Sequence, residues 1–182
     1  MTVRRKDDLA RDMEARIPMN DLRLGRPEAI EELVNLLAAP LHRFVSRVVG
    51  QEADAEDVLQ TVFERVVRDA ERFRGSHDGL RSWVFTLAYR ASIDVLRARR
   101  RALSWEDRAS EIPGAEPADL ETPAADVRRA FADLEPRDQT VLTLKFQDDF
   151  SNPEIARILG LDANHVGVLV WRAKQNLRRA LP

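Results

Sequence analysis

Ser151-Asn-Pro-Glu-Ile-Ala-Arg-Ile-Leu-Gly-Leu-Asp162, running on into Ala163-Asn-His-Val166, is the stretch whose reading decides the fold. Ser151 and Glu154 stand at the spacing of a capping box, in which each side chain satisfies an amide of the first helical turn that has no partner within the helix. The apolar residues Ile155, Ala156, Ile158 and Leu159 follow, and Gly160 supplies the residue type that ends a helix in a left-handed turn. Asp162 can cap a second helix, whose Val166, Val170, Ala173 and Leu177 recur at helical spacing. Helix, tight turn and helix in this order form a helix-turn-helix, a unit that presents its second helix to the major groove of duplex DNA. Its N-terminal half faces base edges, which nominates Asn164, His165, Val168, Trp171 and Arg172, with Lys174 and Arg178 near phosphates. An ordinary helical hairpin is the competing reading.

Working back from this unit, Val127 to Phe146 carries apolar residues interrupted by Pro136, which suits two short helices. Between Ser104 and Asp126 lie Pro113, Gly114, Pro117 and Pro123 without a sustained apolar period, as expected of a linker. Before it, Pro27 to Val49 has helical spacing, a turn falls at Gly50, and Asp54-Ala-Glu-Asp57 reads as an N-cap with an acidic first turn. In the next helix Ala55, Val58, Leu59, Val62, Phe63, Val66, Val67 and Ala70 form an apolar stripe. Asp57, Gln60, Thr61, Glu64, Arg65 and Arg68 lie opposite. A loop at Gly75 to Gly79 leads into a long helix with its own apolar stripe, Leu80, Val84, Leu87, Ala88, Ala91 and Val95. Facing away from that stripe, Arg81, Phe85, Tyr89, Arg90 and Arg97 alternate rings with guanidinium groups, a pattern suited to single-stranded DNA, with rings stacking on bases and cations on phosphates.

Composition agrees. The chain has 182 residues, of which 44% are hydrophobic and 33% charged, with only 7 glycines, so it is globular and helix-rich. The net charge of -2 hides an uneven distribution. From Arg81 to Arg101 six arginines face one acid, Asp94, whereas Ala102 to Val127 holds seven acids against Arg108. The expectation is all-α: an N-terminal helical bundle over 21–103 and a C-terminal helix-turn-helix domain over 127–182. A flexible acidic linker over 104–126 joins them, and an N-terminal extension covers 1–20. The absence of cysteine removes disulfides and thiolate metal sites and suits a reducing compartment, so the cytoplasm is expected. No apolar run approaches the roughly 20 residues of a membrane helix. His42, His77 and His165 are far apart and no phosphate-binding glycine loop occurs, so no catalytic residue, metal, cofactor or small-molecule substrate is expected.

Two blocks of residues together resemble the extracytoplasmic-function sigma factors of bacterial RNA polymerase. Asp54-Ala-Glu-Asp-Val-Leu-Gln60, Phe63, Arg72-Phe-Arg-Gly75, Trp83 and Asp94-Val-Leu-Arg97 are similar to the second conserved region of that family. Leu134-Glu-Pro-Arg137, Ser151, Glu154-Ile-Ala156, Leu159-Gly160 and Arg172-Ala173 are similar to its fourth. The resemblance implies that Asp57, Gln60, Thr61 and Glu64 dock on the core polymerase. It implies that Arg74, Ser76, His77, Arg81, Phe85, Tyr89, Arg90 and Arg97 take the opened −10 element. The −35 duplex would be read by Asn164, His165, Val168, Trp171, Arg172 and Lys174, and an anti-sigma protein is the implied inhibitor. This chain differs from the family in carrying Thr61 and Arg90 where Glu and Asn are common, and an apolar Gly167-Val168-Leu169 where basic and small polar residues are common. A stand-alone regulator binding operators as a dimer is the alternative function.

Overall fold

The structure, a computed structural model, describes Met13, residues 16–103 and residues 123–181. Most of the expected extension and of the expected linker lie outside the described residues. Every regular element among the described residues is helical. The N-terminal bundle comprises α1 (Met19–Arg23), α2 (Pro27–Val49), α3 (Glu52–Asp69), a 3-10 turn (Ala70–Arg72) and α4 (His77–Leu103). The C-terminal domain comprises α5 (Pro123–Ala132), α6 (Pro136–Leu142), a π-helical turn (Thr143–Gln147), α7 (Asn152–Leu159) and α8 (Ala163–Ala180). Residues 123–126, expected in the linker, thus begin a helix, with Pro123 at its first position.

Local rules account for the bundle. Pro27 opens α2 and Gly50, at φ 74°, closes it in the left-handed conformation. That turn leaves Gln51 extended as the N-cap of α3, so the helix starts two residues before the expected cap, and Asp54 falls inside the first turn. There its carboxylate lies 4.0 Å from the Arg99 guanidinium of α4. Ala55, Val58, Val62 and Val66 of α3 are buried against α2 and α4. Val67, expected in the same stripe, is 48% exposed, because one further residue turns the side chain about 100° around the axis. Part of the segment expected as an extension is core: Met13 and Ile17 are fully buried, and His77 Nε2 lies 2.8 Å from the Ile17 carbonyl oxygen. Each large side chain buried here, such as Leu33, Leu37 or Phe44, contributes about 2 kcal/mol of transfer free energy.

The helix-turn-helix forms as its sequence dictates. The Ser151 amide donates to the Glu154 carboxylate at 2.8 Å within a complete capping box, Gly160 turns at φ 66°, and Asp162 accepts from the Asn164 amide at 2.8 Å. What fixes the second helix is less visible in sequence. Asp138 of α6, 1% exposed, accepts from Arg172 at 3.0 Å and from Asn176 at 2.8 Å, clamping α8 onto α6.

The two domains pack on each other. α4 lies against α7, and α2 against α6. Phe150, 1% exposed, meets Phe85 of α4 edge-on at 4.9 Å, and the Arg81 guanidinium stacks 3.9 Å from the Phe150 ring while donating to the Asp148 carbonyl. Arg47 of α2 donates to Thr143 Oγ1 and Gln147 Oε1, each at 2.7 Å. The turn that reaches across is unusual. Its π-helical segment leads into Asp149 at φ 52°, a left-handed conformation that costs a non-glycine residue about 1 kcal/mol. Beside it, Asp148 is 5% exposed and its Oδ2 has no hydrogen-bond partner.

Burial pushes the Asp148 carboxyl up to about 6, against the opposing pull of Arg81, Arg43 and Arg47. The packed state therefore holds this proton more tightly than a state with the carboxyl in water, whose ordinary value is about 3.9. The stabilisation it provides is complete below that ordinary value and is lost as pH rises through about 6. Asp148→Asn, which mimics the protonated form, should melt above the parent at pH 8, with the gap closing at pH 5; thermal denaturation at the two pH values reads this, and an unchanged gap refutes it. Asp138→Ala leaves Arg172 and Asn176 without their acceptor and should cost about 1–3 kcal/mol in denaturant unfolding. It should also weaken duplex binding, which Asp138→Glu should partly restore.

Candidate nucleic-acid interface

Three faces emerge from this scaffold. The first is the outer side of α3. Asp57, Gln60 and Glu64 are exposed and Thr61 is half-buried, with Gln60 Nε2 donating to Glu64 at 3.0 Å. These side chains point away from the buried valines of the same helix, and exposed Val67 extends their row by one turn. The row combines two carboxylates, an amide and an apolar edge, a composition able to engage a partner that offers both basic and apolar groups.

The second face, expected to display rings and cations on α4, is divided. Arg90 and Arg97 are exposed, Arg97 lying 3.7 Å from Asp94. Arg81 is only 5% exposed and Phe85 is fully buried, contrary to the accessible surface expected for them. The cause is that α4 is covered on two sides: Phe85 packs on Phe44 of α2 at 5.3 Å and is sealed by Phe150 from the other domain. Tyr89 is half-buried and lines a cavity of about 320 Å³ between the domains with Ile93, Leu96, Pro136 and Leu159. The loop before α4 is open. Ser76 Oγ accepts from the Gly79 amide at 3.3 Å, exposed Arg74 donates to the carbonyls of Glu71 and Phe73, and His77 is drawn inward to Ile17. At Gly75 a Cβ would stand 2.5 Å from the Phe73 ring, which itself packs on Trp83 at 5.2 Å, so a larger residue there requires that ring to move.

The third face is the outside of α8. Asn164 and His165 are exposed, as are Val168 at 62% and Trp171 at 64%. Helical spacing aligns Asn164, Val168, Trp171 and Gln175 in one row, with Arg178 at its end. Gln175 was missed by the sequence reading, although the same period contained it. Arg172 is half-exposed but engaged by Asp138, so it positions the helix as well as edging the row. Lys174 lies 5.6 Å from the ring of Phe146, which is itself 54% exposed. Gly167 is not demanded by internal packing, because an added Cβ would meet only Asn152 Nδ2 at 3.6 Å. Apolar side chains held out between polar ones suit a groove that displays both hydrogen-bonding edges and thymine methyl groups.

Comparison with known proteins places these faces in a family. The sigma-70 region 2 model matches residues 24–102 and the sigma-70 region 4 model matches residues 124–177. The chain is 30% identical over 148 residues to the ECF RNA polymerase sigma factor SigL of Mycobacterium tuberculosis, covering 79% of this chain and 84% of SigL. It is 28% identical over 168 residues to the RNA polymerase sigma factor CarQ of Myxococcus xanthus, covering 90% and 95% of the two chains. Among solved structures, sigma factor RpoE in complex with the anti-sigma factor NepR from Bartonella quintana superposes with a TM-score of 0.71 at 22% identity, over 82% of this chain and 94% of that one. CnrH in complex with the cytosolic domain of CnrY gives 0.63 at 21% identity, over 92% and 95%. At such identities the structural likeness is one of fold, while the sequence matches carry the assignment. The chain belongs to the extracytoplasmic-function sigma factors, alternative sigma factors that direct RNA polymerase to promoters.

Proposed function

We propose that the three faces divide the work of initiation: Asp57, Gln60, Thr61 and Glu64 of α3 hold the core polymerase, the Arg81–Arg97 part of α4 with the Arg74–His77 loop takes the opened −10 strand, and the outer row of α8 reads the −35 duplex. The observation that carries this reading is the order of the two sigma-70 matches along a chain whose α3 and α8 present outward faces at the corresponding places. No reaction is assigned to the chain itself; it acts as a DNA-binding regulator, and bond-making belongs to the polymerase. Its place of action is then the cytoplasm, where that polymerase works. No helix among the described residues is long and apolar enough to cross a membrane. The fold neighbours RpoE and CnrH occur as complexes with NepR and CnrY, which supports an anti-sigma partner for this chain.

Purified chain added to core polymerase should yield run-off transcripts from promoters of its own genome, with starts mapped by sequencing; no transcript above the core-only background would overturn the proposal. Asp57→Arg with Glu64→Arg should lower affinity for core polymerase by about tenfold or more while leaving helicity unchanged, measured by fluorescence anisotropy and circular dichroism. Trp171→Ala should weaken the mapped −35 duplex by about tenfold without altering its salt dependence, whereas Arg178→Ala should weaken all duplexes alike and shorten the salt slope by about one.

A further inference from the structure

We infer that the segment leading into α2 positions the loop before α4, so that Arg23 and the Ile17 carbonyl set how sharply the −10 bases are distinguished, and that His77 braces this loop instead of touching a base. The inference rests on the reading of the loop proposed above and adds the part of the chain that gives the loop its shape. The loop has little to hold it from within. Arg74, Gly75 and Ser76 are exposed, and the Arg74 guanidinium turns back on the carbonyls of Glu71 and Phe73. Both ends of the loop are instead tied to one distant segment. Arg23 Nε donates to the Phe73 carbonyl at 2.9 Å, across fifty positions of sequence. Across sixty positions, His77 Nε2 lies 2.8 Å from the Ile17 carbonyl, and because a carbonyl only accepts, that ring nitrogen carries the proton.

The bracing segment is itself fixed. Met13, Ile17 and Leu22 are fully buried in the apolar cluster of the bundle, and α1 packs on the 3-10 turn that feeds the loop. Anchored residues thus present a main-chain acceptor and a guanidinium donor, and the exposed residues between Phe73 and His77 are displayed between two fixed points. A ring adds support. Phe73, packed 5.2 Å from Trp83, lies so close to Gly75 that a Cβ there would stand 2.5 Å from it. Discrimination of an unpaired base depends on how closely its contacts are placed, since a displacement of about 1 Å loses most of an oriented interaction. A loop hydrogen-bonded to water alone would hold its binding shape in a fraction of molecules, whereas a braced loop holds it beforehand. Ile17 and Arg23 precede the sigma-70 region 2 match, which begins at residue 24, so the brace comes from outside the part of the chain that the family model describes.

The test combines the chain with core polymerase and measures run-off transcripts from a promoter series that carries each base in turn at every −10 position. Arg23→Ala and His77→Ala should lower the ratio between the best and the worst base by about tenfold, the factor that one hydrogen bond typically controls. Arg23→Gln should keep the parent ratio, because its amide nitrogen stands as far along the side chain as Nε does and donates without a charge. Hydrogen exchange of the free chains gives a second readout. The Phe73 and Leu80 amides, which bond to the Ala70 and Ser76 carbonyls at either end of the loop, should exchange about tenfold faster in the two Ala variants and at the parent rate in Arg23→Gln. Folding is checked by retained binding of a −35 duplex. Parent exchange rates in both Ala variants would overturn the brace, as would a ratio lowered equally by Arg23→Gln, which would mean that the Arg23 charge itself meets DNA. A parent ratio in both Ala variants, where Arg74→Ala with Ser76→Ala lowers it, would also overturn the brace. A parent ratio in that double variant as well would overturn the reading of the loop beneath it.

Discussion

One guanidinium between two rings sets the arrangement of this molecule. Arg81 is held between Phe85, which belongs to the N-terminal core, and Phe150, which comes from the other domain. Because Phe85 also packs on Phe44, the contact continues the bundle interior into the C-terminal domain, and Leu144, Ile155, Ile158 and Val166 join the same apolar cluster as Leu33 and Leu80. Stacking and burial supply most of the attraction. The polar contacts around it, Arg47 with Thr143 and Gln147, and Ser82 facing Glu154 at 3.5 Å, fix its register. Burying Asp148 opposes it. The balance is thus between apolar cover, which favours packing at every pH, and a carboxylate whose desolvation disfavours it once ionised.

Much of this was legible in the sequence where the determinants are local. The capping box at Ser151 and Glu154, the left-handed glycine at 160 and the Asp162 cap involve residues within a few positions of each other, so pattern alone found the helix-turn-helix. The two-domain helical organisation followed from periodicity and from the proline-rich interval after Ser104. The outward row Asp57, Gln60 and Glu64 followed from the opposing stripe. The start of α3 falls three residues before the expected one because the left-handed turn at Gly50 sets it, overriding the preference of Asp54 for a cap.

The failures lie where distant segments meet. Periodicity locates the apolar face of a helix within its own neighbourhood, but α4 is wrapped from two directions, so Arg81 and Phe85 looked solvent-facing until the C-terminal domain was placed against them. Arg172 similarly read as a free base-reader. Its bond to Asp138, thirty-four positions earlier, is a tertiary fact with no local signal. Met13 and Ile17 are likewise buried in the core, and the Ile17 carbonyl lies against His77, sixty positions later in the chain.

The clamp on α8 separates two jobs that one helix performs. Val166, Leu169 and Ala173 with the Asp138 anchor hold its position, while Asn164, Val168 and Trp171 carry none of that packing. Substitutions along the outer row can accordingly accumulate without disturbing the packing that holds the helix. The inner row keeps the helix at a constant height and tilt on its domain, so the exposed surface can change its chemistry without the scaffold being rebuilt.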